Sequence, residues 1–259
     1  MTTIDIAARQ VPRFGGVSPT LLGIELRRML RNKRTVFFAL LFPIIMYFVF
    51  SNQKYGNNRI GSGNIAAFIM INMAFYGAAL TTASIGSMVA VERAQGWSRQ
   101  LRLTPLNPAF YIAVKTFVAL VMGSVVVTLV NVIALSANKA HMPTGDWIAA
   151  AVLSAIVTVT FAALGVFIGY IVPGENAMQI LGPGLAILSF LGGVFIPLSQ
   201  YNSVMLHIAY WTPMYGPSEI ARSPLTHELP WYAIVNAIAW LAIFVAGAAW
   251  RMSKDTARV

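Results

Sequence analysis

The chain has no cysteine and little charge: Asp, Glu, Lys and Arg make up 10% of its 259 residues, and only eight of these are acidic against eighteen basic. The missing thiols exclude a disulfide framework and thiolate-bound metal, but they do not identify a redox compartment. Scarce charge beside 58% hydrophobic residues leaves the chain too apolar to solvate itself as an ordinary soluble domain, whose apolar share is about 45–50%. Lipid must cover part of it. There is no G-x-x-x-x-G-K-[ST] phosphate loop, so the chain does not read as an ATPase. It shows no internal repeat of twenty to fifty residues and no low-complexity tract. His141, His207 and His227 are scattered without ligand spacing and read as surface residues, so no metal site is expected. The net charge of +10 does not point to a nucleic acid, because the basic residues sit between apolar runs instead of spreading over a surface.

Six apolar runs are present, and a helix needs about 20 such residues to cross hydrocarbon. They cover 35–51, 64–91, 110–137, 147–172, 177–198 and 231–250. Lys115 is the one charged residue in any of them, placed near the start of the third and expected to snorkel toward the headgroups. The first run follows a basic segment and lacks a small-x-small cleavage site after it, so it reads as a retained signal anchor. Fourteen of the eighteen basic residues fall on one side of the resulting topology and four (Lys54, Arg59, Lys139 and Arg222) on the other. The positive-inside rule puts the side with fourteen, and with it both termini, in the cytoplasm. The expected fold is an all-α polytopic membrane protein with six transmembrane helices. Residues 1–17 are expected to be a flexible cytoplasmic N-terminus, 18–34 an amphipathic interfacial helix, 35–250 the six-span domain and 251–259 a cytoplasmic tail.

Ser18 is a candidate N-cap with Pro19 at the first helical position. Leu22, Leu26, Met29 and Leu30 then recur at helical spacing, with Arg27, Arg28, Arg31 and Arg34 on the complementary arc. That pattern predicts a basic helix lying in the cytoplasmic interface. A tight turn at 173–176 makes the fourth and fifth spans antiparallel neighbours, and Gly165 with Gly169 forms a small-xxx-small pair suited to close helix approach. The extracytoplasmic segment 199–230 is rich in Tyr, Trp and Pro and predicts short helices near the outer leaflet, around 204–210 and 217–221.

The cytoplasmic loop 91–108, VERAQGWSRQLRLTPLNP, combines an acid at a helix end, a glycine that permits a turn, and a short amphipathic helix over 97–103. Thr104-Pro105 stops that helix, since the residue before proline disfavours helix. Taken alone, this is an interfacial helix between spans. The loop also resembles the signature of permease subunits of ATP-binding cassette type-2 exporters, in which an acidic residue, a glycine about four later and a leucine-bearing helix end in Thr-Pro-Leu. The matching positions are Glu92, Gly96, Leu101, Thr104, Pro105 and Leu106. Trp97 stands where Thr or Ser is usual, as in antibiotic and multidrug-type members. The basic N-terminal helix, the six spans, GGVFIPL at the end of the fifth and the aromatic segment before the sixth extend the resemblance over nearly the whole chain.

The resemblance implies a half-permease in a bacterial cell membrane that pairs with a second copy or a paralogue. Each half would couple to a separate ABC ATPase, which holds the ATP and Mg; this chain would bind no cofactor and no nucleic acid and would not itself be an enzyme. Coupling falls to Glu92, Arg93, Gly96, Trp97, Leu101, Arg102, Thr104 and Pro105. The substrate path falls to Asn72, Phe75, Tyr76 and Thr81 of the second span with Phe190 and Phe195 of the fifth, an apolar and aromatic surface suited to a drug, antibiotic or lipid-like molecule. Two alternatives stay open: a permease for polysaccharide or lipid-linked glycan, and a membrane anchor subunit without a path. A secondary transporter or channel would need coupling charges or an inverted repeat, and the spans offer neither.

Overall fold

The computed structural model describes residues 19–31, 33–52, 56–96, 108–174 and 176–256. Ser18 and the segment holding Trp97, Leu101, Arg102, Thr104, Pro105 and Leu106 lie outside these residues. Helix α1 spans Pro19–Arg31 and α2 spans Lys33–Ser51. A two-residue pairing of β1 (Arg59–Ile60) with β2 (Gly63–Asn64) follows, a small antiparallel exception to the all-α expectation. Then come α3 (Ile65–Ala94), α4 (Pro108–Ser136), α5 (Thr144–Val157), α6 (Val159–Ile171) and α7 (Asn176–Leu191). After a 3-10 turn at Leu198–Gln200, α8 (Ser203–Trp211), α9 (Tyr215–Thr226) and α10 (Trp231–Thr256) complete the chain. Among the described residues four helical stretches are long and apolar enough to cross a membrane: Ile65–Ala94, Phe110–Ser136, Thr144–Ile171 and Trp231–Lys254. The apolar helices Leu40–Ser51 and Asn176–Leu191 are shorter.

Helix α3 is the axis of the bundle, packed by α2, α4, α6, α7 and α9. Lipid tails are as apolar as leucine, so spans associate through close packing and polar bonds more than through a hydrophobic drive. The α3 sequence supplies small inward residues, among them Ala74, Ala78, Ala79, Ala83, Gly86, Ser87 and Ala90, all buried. The predicted glycine pair sits opposite them. A Cβ on Gly165 would run into the Ala83 backbone, and one on Gly169 would come within 3.2 Å of the Ser87 carbonyl. Larger contacts fill the rest, such as Phe75 edge-on to Phe161 with centroids 5.6 Å apart.

Three expectations change. The fourth span runs as one stretch over Thr144–Ile171 but carries a one-residue turn at Thr158, where no Pro or Gly signals it. The Thr158 carbonyl keeps the ordinary helical bond from the Ala162 amide, shares it with the Phe161 amide, and accepts in addition from the Thr82 hydroxyl of α3 at 3.2 Å. The fifth-span helix stops at Leu191, seven residues before the expected Leu198, and 192–197 is non-helical. In the 199–230 segment α8 and α9 form as predicted, but α9 packs on α5, α3 and α10 and buries Gly216, Ser218, Ala221, Arg222 and Leu225. It is a bundle element, not a surface one.

The turns sort into two ends. At one, Asn64 caps α3 by accepting from the Ala67 amide at 3.0 Å and also binds the α4–α5 connection, accepting from His141 N and donating to Lys139 O. There Ser62 bonds Asp146 of α5 at 2.6 Å, and its amide donates to Leu225 O of α9. At the other end lie α1, the close of α3, the start of α4 and the close of α6.

Candidate functional sites at the two ends of the bundle

At the α1 end the structure assembles four charges from three helices. Lys115 of α4 is fully buried; its Nζ lies 2.9 Å from Glu25 Oε2 on α1 and 2.5 Å from Glu92 Oε1 near the end of α3. Arg28 of α1, half-exposed, completes the node by reaching the same Glu92 oxygen at 2.7 Å, and lies 3.9 Å from Glu25. Two cations thus meet two carboxylates where an unpaired charge would be prohibitive. An apolar patch surrounds them: Met29, with Leu22 and Leu26 beside it, packs on Ile85, Val114, Val118, Ala119 and Met122.

This corrects three expectations. Lys115 does not snorkel but is sealed between helices. Arg28 leaves the arc assigned to it and turns in to Glu92. Leu30 is exposed at 58%, and the buried stripe of α1 runs through Glu25 instead. Glu25 went unremarked in the sequence, although it is the single acid between residues 6 and 91 and stands one turn before Met29. A lone lysine in a span implied an acidic partner, and that was the signal available.

Of the expected coupling residues, Glu92, Arg93 and Gly96 are described. Glu92 is 3% exposed, and its Oε2 is buried without a hydrogen-bond partner among the described residues. Arg93 donates to the Gly169 and Tyr170 carbonyls and lies over the Tyr170 ring, tying α3 to the end of α6. Gly96 has φ +75°, a left-handed conformation that glycine adopts without penalty, so the chain turns off α3 here.

At the opposite end the expected path residues divide. Tyr76, Phe195 and Phe190 come together: Tyr76 and Phe195 centroids are 4.9 Å apart, Phe195 and Phe190 4.8 Å, and Phe42 of α2 joins Tyr76 at 5.6 Å. Phe75 points the other way, into α6, and Thr81 spends its hydroxyl on the Gly77 carbonyl. Asn72 and Phe195 line a cavity of about 430 Å³ between the end of α2, the 56–58 turn, α3 and the 194–200 segment, with Phe50, Phe68, Ile69 and Gln200. Behind it lies Arg222, 2% exposed, its guanidinium 5.1 Å over the Phe68 ring. Arg222 counts as a loop residue in the sequence, and nothing local marks it as buried.

Residues 19–226 match the family model described as ABC-2 type transporter. Over 227 residues the chain is 27% identical to the "Putative transport permease YvfS" of Bacillus subtilis (strain 168), a match that covers 85% of this chain and 91% of that protein.

Proposed function

Because the chain belongs to the ABC-2 type transporter family, we propose that it is one transmembrane half of an ATP-driven exporter, paired with a second half and coupled through loop 91–108 to a separate cytoplasmic ATPase. It crosses the cell membrane six times in this reading, by α2, α3, α4, α5 with α6, α7 and α10, with both termini in the cytoplasm. Helix α7 is short for a crossing, and in this reading the buried 192–194 backbone extends it under protein cover. Gly192 N bonds Leu188 O, Val194 N bonds Ser189 O and the Gly193 carbonyl accepts from Arg222 at 2.7 Å. Non-helical backbone at membrane depth is tolerated only when it is satisfied in this way.

The observation that carries the coupling reading is the four-charge node. It fixes α1 to Glu92, four residues before the turn at Gly96, so the amphipathic helix and the root of the loop move as one body. ATP-driven approach of the partner subunits would press on both, and the spans would follow. A ligand-driven change requires different contacts in its two states, and this reading places them at this surface. The cargo in this reading is a hydrophobic or amphiphilic molecule, a drug, antibiotic or lipid-like compound, moving past the Tyr76–Phe195–Phe190 aromatics.

The test is reconstitution with the ATPase that co-purifies from the native membrane. Gly96→Val forces a β-branched residue into a left-handed conformation, and Glu92→Gln discharges the node. Both are expected to lower cargo-stimulated ATP hydrolysis about tenfold or more, by loss of coupling geometry. Unchanged stimulation in both variants, or failure of any ATPase to co-purify, would remove this reading.

A further inference from the structure

The cavity beside Asn72 has a fixed hydrogen-bond polarity. Arg222 Nη1 donates to the Gly193 carbonyl at 2.7 Å and to Asn72 Oδ1 at 3.4 Å, while its Nη2 donates to Glu219 Oε1 at 2.6 Å and Ser218 Oγ at 3.3 Å. A guanidinium has donors and no acceptor, so the amide of Asn72 can face it only with its oxygen. The amide nitrogen is then turned away. It has no hydrogen-bond partner among the described residues, although Asn72 is 98% buried and lines the cavity. The nitrogen opens onto the cavity instead of being sealed in the wall, so an occupant that brings an oxygen can take the bond that water would otherwise make there.

The remaining lining agrees. Among the described residues Asn58 and Gln200 are its other polar side chains, and none of the described lining residues is acidic. The nearby carboxylate, Glu219, is already engaged by Arg222. An ammonium group entering here would meet a guanidinium behind Phe68 and Asn72 and, among the described residues, no free counter-charge. The volume, about 430 Å³, is at the small end for ligand cavities and suits a polar head with the first part of its tail.

We propose that this cavity binds amphiphiles through an acceptor oxygen, as in a carbonyl, carboxylate or phosphate, on the Asn72 amide nitrogen. Arg222 is the positioning residue that sets this polarity, and ammonium-headed amphiphiles are refused. That the bound molecule is cargo rests on the exporter reading; the binding preference stands on the cavity alone.

The experiment uses the full chain in maltoside detergent with two fluorescent probes of identical dansyl-labelled tail, one ending in a carboxylate and one in a primary ammonium. The carboxylate probe is expected to bind about tenfold or more tightly, the worth of a charge-assisted hydrogen bond. Asn72→Asp keeps the side-chain size, gives Arg222 a stronger partner and removes the donor, so the preference should vanish or reverse. Arg222→Lys keeps a cation at the amide oxygen and should retain it. Ile69→Trp fills the cavity and should weaken both probes. Equal binding of the two probes, an Asn72→Asp ratio identical to the unmodified chain, or indifference of both probes to Ile69→Trp would each overturn the proposal. Competition by phosphatidylglycerol against a short soluble carboxylate tells a membrane lipid from a dissolved amphiphile as occupant. ATP-driven uptake of the carboxylate probe into vesicles separates the two readings. Preference without uptake leaves the site and removes it from the export path; uptake without preference leaves the exporter and removes this proposal.

Discussion

The two ends of α3 bury charge in different ways. At the α1 end a fully buried lysine is shared by carboxylates from two other helices, so every member depends on side chains remote in sequence. At the far end Arg222 takes its carboxylate from its own helix, three residues away, and spends its other donors on neutral oxygens. The first arrangement holds helices to one another. The second is assembled within α9 and then presses against α3 and the 192–194 turn as a finished unit. A buried charge is a clamp between elements only when its counter-charges come from elsewhere in the chain.

That contrast orders the effects of removing each cation. Lys115→Met leaves two buried carboxylates with only the half-exposed Arg28 between them and should cost about 3–5 kcal/mol, seen as a large fall in thermal unfolding temperature in detergent. Since the chain has no cysteine, a single Met29→Cys thiol added to this variant reports α1 directly. It should be shielded from maleimide when Lys115 is present and labelled rapidly when it is not. Unchanged labelling would mean that the apolar patch alone holds α1. Arg222→Met should cost less, about 2–3 kcal/mol, because Glu219 is 17% exposed at its side chain and can turn toward water. A loss equal to that of Lys115→Met would erase the distinction between the ends. Arg28→Gln should be the mildest, about 1 kcal/mol or less, since this side chain is 45% exposed and screened, with added salt reducing the difference further.

How far the sequence discloses this molecule follows the same division. Apolar length and turn residues placed the helices, Gly165 and Gly169 announced the close approach to α3, and the Pro- and aromatic-rich segment announced α8 and α9. These signals are local. The charge node is not, for Lys115 finds Glu92 across 23 positions and Glu25 across 90, and hydropathy records only that a lysine is out of place. Arg222 was hidden for a different reason: the short helix expected around 217–221 was assigned to the outer leaflet, although it packs as deeply as a span does. The turn at Thr158 carries two hydroxyl bonds, its own to the Ala155 carbonyl and one from Thr82 of another helix, and only the first is local. At the candidate sites, Asn72, Tyr76, Phe190, Phe195 and Glu92 were singled out through the family resemblance, while the residues that hold Asn72 and Glu92 in place were not.

Asn72 and Glu92 stand twenty residues apart on one uninterrupted helix, about 30 Å at the rise of an α-helix. That helix is enclosed on nearly all sides and has small side chains that leave it no slack. It is a push-rod. A displacement of its charged end along the axis is a displacement of the cavity wall by the same distance, with no intermediate joint to absorb it. In the coupling proposed above, a movement at the charged end would therefore reach the cavity wall undiminished.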